Sequence, residues 1–422
     1  MNGRASLLFY GQHSLGMGHL VRSLALAAGF AKSFRVLFLN GGPLPKAMQV
    51  PRGVEIINLP PLGLAPDGRL VSRDRRRTLG RAESLRRQII LEAYHTLRPQ
   101  VVFVELFPFG RKKFEGELLP LLEAARRARP RRSIVCCSLR DILVGKKSDQ
   151  QKHDQRAVEI ANDYFDAVMV HSDPAFARLE ESLSSYSSLR TPVYYTGFVG
   201  AEIKTGGGSS SSSGAAARER RVLKAACERQ VLVSAGGGLV GEKLLRTAVE
   251  AHRLLRRTGD DLRMKIITGP FLPQAAWASL RAAAHSEPGL SLERFVPDLC
   301  AEMRASVASI SQGGYNTTLD ILRAGVPALV VPFADGSEDE QLKRARRLEA
   351  RGAIRLLEQH EMDAARLAEG VRELLDFSPR RLLLDLDGAR NTARIVGSLI
   401  RAHHQKPSVP VNRTLSGREV HP

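Results

Sequence analysis

Short apolar runs alternate along this chain with longer stretches whose apolar residues recur at helical spacing. The runs are rich in β-branched and aromatic residues and end at turn or polar residues, as buried parallel strands do. In the N-terminal half they are SLLFYGQ, FRVLFLN, VEIINL, VVFVELF, SIVCCSL and AVMVHS. Amphipathic stretches such as HLVRSLALAAGFAK and FEGELLPLLEAARRARP lie between them. This alternation predicts a doubly wound, Rossmann-like α/β domain over residues 1–205.

A second unit with the same pattern follows a low-complexity tract. Residues 206–217, GGGSSSSSGAAA, cannot bury apolar surface, so we expect a linker or loop there. The strands QVLVSAGGG, LRMKIITGP, VASISQGG, ALVVPF and GAIRLLE then predict a second Rossmann-like domain over residues 218–379. Residues 380–404 indicate a final helix or helix pair, and residues 405–422 a disordered tail. The expected fold class is therefore α/β, with two doubly wound domains facing across a cleft.

Polar residues and glycines are concentrated between residues 312 and 341, around a predicted strand–helix–strand unit. A Gly-Gly turn opens the helix, which leaves its backbone N–H groups and positive dipole end bare enough to meet a diphosphate. Asp320 follows one turn later, where a carboxylate could accept hydrogen bonds from ribose hydroxyls. These features predict a nucleotide-diphosphate site. Its candidate residues are Gln312, Gly313, Gly314, Asn316, Thr317, Asp320, Glu340 and Gln341.

Two further glycine-rich turns follow predicted strands. Gly16 and Gly18 bracket the turn after the first strand, and His19 then begins a helix at the edge of the predicted cleft. A neutral histidine there could act as a general base, although a helix-capping or packed histidine is the alternative. Where the second domain opens, three consecutive glycines would let the backbone approach a phosphate or sugar closely. These are Gly236, Gly237 and Gly238.

Acidic residues at predicted strand ends are the candidates on the acceptor side. Glu105 follows VVFVE, and Asp141 follows IVCCSLR, so both would face the cleft and could orient an acceptor or assist His19. Carboxylates at such positions are as often helix caps. His171 and Asp173 share the position and the ambiguity. No metal site is expected, because the one Asp-x-Asp sequence, Asp385 to Asp387, lies in the amphipathic C-terminal segment.

The segment from Gln312 to Gln341 resembles the donor-sugar signature of GT-B glycosyltransferases, and in particular family 28, which includes the peptidoglycan-precursor N-acetylglucosaminyltransferases. The resemblance implies a GT-B fold, with a UDP-linked sugar held by the second domain and the acceptor by the first. It also implies that the backbone of Val296 reads the base. The N-terminal run GMGHLVRSLALA is similar to the motif of the UDP-sugar hydrolase of pseudaminic acid synthesis.

Charge is the main compositional signal. The 422 residues include 63 Lys and Arg against 44 Asp and Glu, a net charge of +19, and 43% are hydrophobic. Much of this charge is interpreted as arginine on solvated helix faces. A denser cluster from Arg69 to Arg87 could contact an anionic membrane. Neither a signal peptide nor a membrane span is evident, so a cytoplasmic protein, peripheral at the inner face of the membrane, is expected.

These observations predict a metal-independent, inverting glycosyltransferase without a cofactor. It would move a hexose-type sugar from a nucleotide diphosphate to an unidentified hydroxyl, with His19 as base. A nucleotide-sugar hydrolase of the same fold is the first alternative. A non-catalytic nucleic-acid-binding protein is the second, although no nucleic acid is expected because the chain has no basic motif interleaved with aromatic residues.

Overall fold

A computed structural model describes residues 4–13, 18–45, 48–65, 68–143, 149–200, 229–333 and 339–405. Within these ranges the chain forms two domains, each built on a parallel sheet with helices on both faces. The Gly/Ser tract at 206–217, the tail from 406 and Gly16 lie outside the described residues. The prediction of an α/β protein with two doubly wound domains is confirmed.

The N-terminal sheet has seven parallel strands in the order β3-β2-β1-β6-β7-β8-β9. A two-stranded antiparallel hairpin, β4–β5, lies beside it. The bounds are β1 Ser6–Gly11, β2 Arg35–Asn40, β3 Val54–Asn58, β4 Leu62–Leu64, β5 Leu70–Ser72, β6 Val101–Glu105, β7 Ile134–Arg140, β8 Ala167–His171 and β9 Val193–Tyr195. The central strands β1 and β6 are almost wholly buried, which explains their continuous apolar sequences.

The C-terminal sheet has six parallel strands in the order β12-β11-β10-β13-β14-β15. Numbered along the domain, this is the 3-2-1-4-5-6 order of Rossmann folds, whose ligands bind where the strand order reverses. The bounds are β10 Gln230–Ser234, β11 Arg263–Ile267, β12 Leu290–Glu293, β13 Ala308–Ser311, β14 Ala328–Val330 and β15 Arg355–Leu356. The reversal lies between β10 and β13, whose following turns are the two glycine-rich segments predicted to bind the donor.

Eleven helices belong to the part of the chain that the structure describes. In the N-terminal domain they are α1 Gly18–Ala31, α2 Leu79–Leu97, α3 Glu115–Arg127 and α4 Gln150–Tyr164. In the C-terminal domain they are α5 Glu242–Arg257, α6 Gln274–Ser286, α7 Leu299–Arg304, α8 Tyr315–Ala324, α9 Glu340–Glu349 and α10 Ala364–Leu375, and the chain continues into α11, Gly388–Gln405. None of the helices in these ranges is long and apolar enough to cross a bilayer.

The chain crosses back to the first domain before α11. The segment before Gly388 is irregular rather than helical, and the carbonyl of Asp385 accepts a 2.7 Å hydrogen bond from the N–H of Phe198. Val396 and Ile400 of α11 then join the apolar core around β1 and α1. The helix predicted from residue 380 therefore begins eight residues later, because the first part of that segment follows the surface between the domains.

Candidate active site between the two domains

His19 and Glu105 meet at the carboxyl edge of the N-terminal sheet. His19 lies in the first turn of α1, just after β1, and Glu105 ends the neighbouring strand β6. The His19 Nδ1 is 2.5 Å from Oε1 of Glu105, whose side chain is fully buried. The same oxygen accepts a 2.6 Å hydrogen bond from Nη2 of Arg22, and Arg111 lies 3.4 Å from the other oxygen. Two of the three predicted catalytic residues are therefore in contact.

Burial favours a neutral imidazole on His19, and the surrounding charges favour an ionised carboxylate on Glu105. Burial lowers the pKa of His19 to about 3; the Glu105 charge opposes this, and the charges of Arg111 and Arg22 add to it. Burial alone would raise the pKa of Glu105, but His19, Arg111 and Arg22 together hold it below its usual value. An ionised Glu105 must accept the hydrogen from Nδ1, which leaves the lone pair of His19 on Nε2.

The start of α8 faces this pair from the other domain. Gly314 is its N-cap residue, and within the described chain no side chain caps the helix. A Cβ built on Gly314 would meet nothing within 4 Å, so the backbone there is open to a ligand. The Nδ2 of Asn316 donates a 3.2 Å hydrogen bond to the carbonyl of Gly18, one residue before His19. The two helix starts are therefore in direct contact across the domain boundary.

The glycine-rich turn after β10 lies beside the start of α8. Gly236 and Gly238 adopt positive φ values of 58° and 84°. A Cβ on Gly238 would lie 2.3 Å from the carbonyl oxygen of Thr268, so only glycine fits there. A Cβ on Gly236 would lie 3.9 Å from the hydroxyl of Thr317, which brings the two predicted donor segments together. Gln312 supports the turn, because its Nε2 lies 3.4 Å from the carbonyl of Val240.

Asp320 lies one turn into α8, half-buried, and its carboxylate makes no hydrogen bond to any residue that the structure describes. Burial raises its pKa to about 7, while Arg323 opposes the shift and Asp298 adds to it. A carboxylate held at this cost without a partner is suited to accept hydrogen bonds from a ligand. The side chain of Val296 is buried in the adjoining core, so only its backbone is suited to contact a base.

Three predicted site residues are engaged with protein instead. Both oxygens of the buried Asp141 accept hydrogen bonds from Arg344, at 2.7 and 2.9 Å, so no carboxylate oxygen is free to orient an acceptor. Glu340 accepts a 2.8 Å bond from Arg140 of the other domain. The side-chain oxygen of Gln341 accepts from the N–H of Phe333. The first two are interdomain ion pairs, and the third links α9 to Phe333, shortly after β14.

The other acceptor-side candidates are structural. His171 is fully buried, with Nε2 2.7 Å from the hydroxyl of Ser138 and Nδ1 2.8 Å from that of Thr196. Asp173 accepts from backbone N–H groups of its own loop and of Asp385. Neither residue caps a helix as the alternative suggested; His171 links β8 to Ser138 and Thr196, and Asp173 holds its own loop and the segment at Asp385.

Two arginines near the site, Arg22 and Arg344, are not predicted as site residues from the sequence. Arg22 falls within the run that is similar to the hydrolase motif, and the sequence predicts no role for Arg344. The spacing of Arg22 offered a signal, because residues three apart on a helix share a face and Arg22 follows His19 by that interval. Nothing in the sequence distinguishes Arg344 from the other arginines of α9, since its burial depends on packing against the other domain.

The arginine cluster from Arg69 to Arg87 is not uniformly available to a partner. Arg86 is fully buried and donates hydrogen bonds to Glu117, Tyr10, Gln12 and the carbonyls of Gly41 and Pro60. It therefore contributes to the core of the domain rather than to a surface charge. The remaining arginines of the cluster are exposed, and contact with an anionic membrane stays a prediction.

Comparison of sequences identifies the second domain. The family model of the glycosyltransferase family 28 C-terminal domain matches residues 231–388. An uncharacterized glycosyltransferase of Methanopyrus kandleri is 28% identical over 172 residues, which are 40% of this chain and 45% of that protein. A UDP-N-acetylglucosamine–N-acetylmuramyl-(pentapeptide) pyrophosphoryl-undecaprenol N-acetylglucosamine transferase of Acidithiobacillus ferrooxidans is 32% identical over 121 residues, 29% of this chain and 32% of that protein. The chain thus spans less than half the length of these relatives.

Solved structures match nearly the whole chain. MurG of Acinetobacter baumannii aligns over 94% of this chain and 99% of its own, with a TM-score of 0.52 and 16% identity. The glycotransferase of kitacinnamycin aligns over 96% of both, with a TM-score of 0.55 and 17% identity. A putative UDP-N-acetylglucosamine 2-epimerase from Listeria monocytogenes aligns over 97% of this chain and 98% of its own, with a TM-score of 0.58 and 13% identity. Such likeness shows the fold alone, and the epimerase illustrates that one fold hosts several chemistries.

The sequence match and the structural matches agree on the same assignment. The donor segment that suggested family 28 lies inside the matched range, and the two-domain neighbours include glycosyltransferases. The prediction of a family 28 type protein with a GT-B fold is therefore confirmed. Residues 231–388 of this chain thus match the glycosyltransferase family 28 C-terminal domain, and the whole chain has the fold of GT-B structures.

Proposed function

We propose that this protein is a metal-independent, inverting glycosyltransferase that moves a hexose-type sugar from a nucleotide diphosphate to a hydroxyl acceptor. A UDP-linked donor fits best, because the family 28 relative from Acidithiobacillus ferrooxidans is named for UDP-N-acetylglucosamine. The observation that carries the proposal is the contact between the starts of α1 and α8. This contact places the His19–Glu105 pair, the proposed base, beside the uncapped N-terminus of α8, the proposed diphosphate site.

The C-terminal domain would hold the donor. Bare N–H groups at the start of α8, together with its dipole, favour the diphosphate, and the open space at Gly314 admits it. The turn at Gly236–Gly238 adds further backbone close to Thr317. Asp320 would accept hydrogen bonds from the ribose. As the diphosphate leaves, these fixed dipoles stabilise the charge that develops on it, without a cation.

The N-terminal domain would activate the acceptor. The lone pair on Nε2 of His19 takes the hydroxyl proton while the acceptor oxygen bonds to the anomeric carbon. The bond from that carbon to the phosphate oxygen breaks, and the nucleotide departs with the electron pair. Glu105, 2.5 Å from Nδ1, stabilises the imidazolium that forms, and Arg22 fixes the carboxylate in position.

A ligand screen tests the proposal directly. Stabilisation of the protein by UDP-, GDP- and dTDP-sugars is measured by thermal unfolding, since a ligand that binds only the folded state raises the melting temperature. We expect a UDP-sugar to give the largest shift, and transfer from it to a panel of hydroxyl acceptors to be detectable. The absence of any shift with every nucleotide sugar would refute the proposed donor site.

A nucleotide-sugar hydrolase is the second candidate, and the position of Arg22 favours it. In the N-terminal motif shared with the pseudaminic-pathway hydrolase, this arginine follows the histidine by three residues, and here it binds the carboxylate that holds His19. In that chemistry the imidazole would activate water instead of a sugar hydroxyl. Rapid, stoichiometric release of free sugar from a UDP-sugar without acceptor would support the hydrolase over the transferase.

A further inference from the structure

Tyr315, the first residue of α8, belongs to the C-terminal domain by sequence but is buried against the N-terminal domain. Its side chain is 6% exposed and joins a core that includes Phe176 and Phe198 of the first domain. Its ring centroid is 5.9 Å from that of Phe198. Tyr315 is therefore both the first residue of α8, the helix proposed to bind the donor and called the donor helix below, and a contact residue of the domain interface.

The hydroxyl of Tyr315 is hydrogen-bonded on both sides to the N-terminal domain. It donates to the carbonyl of His171, at the end of β8, over 3.0 Å. It accepts from the N–H of Val199 over 2.9 Å. Both partners are buried backbone groups, so losing the hydroxyl would leave a buried donor and a buried acceptor unpaired.

The ring of Tyr315 also lies beside two buried guanidinium groups. Arg22 is 5.6 Å from the ring centroid and Arg344 is 5.7 Å from it. Arg22 binds Glu105, which holds His19. Arg344 binds Asp141 of the N-terminal domain and donates a 2.9 Å bond to the carbonyl of Gly313, the residue before the helix cap. The ring thus lies beside Arg22, which supports the proposed base through Glu105, and beside Arg344, which supports the start of α8.

We propose that Tyr315 is a positioning residue that fixes the start of the donor helix relative to the His19–Glu105 pair. This rests on the proposed function, because it assumes that donor and base react across the interface. Transfer requires the anomeric carbon, held by one domain, to face a hydroxyl activated by the other, and an error of about 1 Å can cost about 100-fold in rate. Tyr315 acts through Arg22 and the backbone and need not touch the substrate.

Tyr315→Phe tests this inference, because it removes the hydroxyl and keeps the packed ring. Tyr94→Phe is the matched control: Tyr94 is 4% exposed, and its hydroxyl bonds Ala124 and Ser133 within the N-terminal domain. We expect Tyr315→Phe to lower kcat by about 10- to 100-fold with the nucleotide Kd within about twofold of wild type. Tyr94→Phe should leave both unchanged. Unchanged kcat in Tyr315→Phe, or an equal loss in Tyr94→Phe, would overturn the inference.

Hydrogen exchange provides a readout that does not depend on activity. In Tyr315→Phe the amide of Val199 and peptides containing His19 should exchange faster than in wild type, while Tyr94→Phe leaves them protected. Equal protection in wild type and Tyr315→Phe would overturn the positioning role. If the wild-type protein acts on no nucleotide sugar, the proposed function fails, but this exchange comparison still decides whether Tyr315 positions the two helix starts.

Discussion

Burial shifts the pKa values of His19 and Asp320 in opposite directions, and neighbouring charges modify both shifts. Burial lowers the pKa of His19 to about 3, so its imidazole is neutral and can accept a proton throughout the physiological range. Burial raises the pKa of Asp320 to about 7, which makes its charge dependent on pH near neutrality. The first shift keeps His19 unprotonated but weakens it as a base, and the charge of Glu105 partly offsets this. The second shift makes ionisation of Asp320 costly until a hydrogen-bond donor from a ligand arrives.

The pKa of Asp320 predicts pH-dependent donor binding. In the proposed donor site only the ionised carboxylate accepts hydrogen bonds from the ribose hydroxyls, so a UDP-sugar should bind about tenfold more weakly at pH 6 than at pH 8, as measured by calorimetry. Asp320→Asn should bind weakly at both pH values. An equally steep pH dependence in Asp320→Asn would show that another group titrates.

The stability of the ligand-free protein should depend on pH in the opposite direction to donor binding. The folded-state pKa of about 7 lies above the reference value of 3.8, so the folded chain binds the proton more tightly than the unfolded chain. Asp320 therefore removes stability as the pH rises from about 4 to 7, and the loss is complete above 7. Asp320→Asn should gain stability relative to wild type at pH 8, and a loss there would contradict the account.

At the scale of elements, the turn after β10 depends on a backbone shape that only glycine allows. Gly238 combines a φ of 84° with a carbonyl oxygen 2.3 Å from where a Cβ would lie. The turn therefore packs closely against the segment after β11, and any side chain at Gly238 would push the turn away from Thr268 and disturb its position beside α8. Because this shape requires glycine, the three consecutive glycines predict a turn able to approach a phosphate from the sequence alone.

Gly238→Ala should lose nucleotide affinity as well as stability. Gly259→Ala is the matched control, because Gly259 has a φ of 85° but no atom within 4 Å of its Cβ position, in the turn after α5. Both substitutions strain the backbone by about 1–2 kcal/mol. Only Gly238→Ala should weaken UDP-sugar binding in calorimetry. Equal affinities of the two variants for the UDP-sugar would show that this turn does not contribute to donor binding.

The sequence predicted the central strands and the donor helix because their signals are local. β1, β6, β10 and β13 are buried on both faces and appear as apolar runs ending in glycine or acidic residues. Edge strands carry weaker patterns: β12, LSLE, is half-exposed and was not predicted. The burial of Arg344 could not be predicted either, because it depends on Asp141, 203 residues away along the chain.

At the scale of the whole molecule, α9 connects the two domains through arginines. Arg344 pairs with Asp141, and Arg347 donates to the carbonyl of Phe176. Two residues beyond the end of α9, Arg351 lies over the ring of Phe176 at 5.3 Å. Part of the positive charge that suggested an anionic partner is therefore engaged in contacts within the protein. Arg344 also holds the start of α8, the proposed donor site, against the N-terminal domain, because it donates to the carbonyl of Gly313.

Removing Arg344 should be costly because it leaves the charge of Asp141 buried and unpaired. We expect Arg344→Met to lower the free energy of unfolding by about 3–5 kcal/mol in urea denaturation. Arg346→Met, which breaks only the exposed ion pair with Glu358, should cost less than about 1 kcal/mol. Adding Asp141→Leu to Arg344→Met should recover part of the loss. A cost below about 1 kcal/mol for Arg344→Met would mean that the ion pair does not hold the interface.

The role of His19 opposite the donor helix is tested most directly by one comparison of binding with turnover. His19→Ala should leave the Kd for the UDP-sugar within about twofold of wild type, because no donor-binding residue is changed. Its kcat should fall by about two to four orders of magnitude, because the acceptor proton has no base to receive it. Turnover at the wild-type rate in His19→Ala would contradict the assignment, and so would a matching loss of UDP-sugar binding.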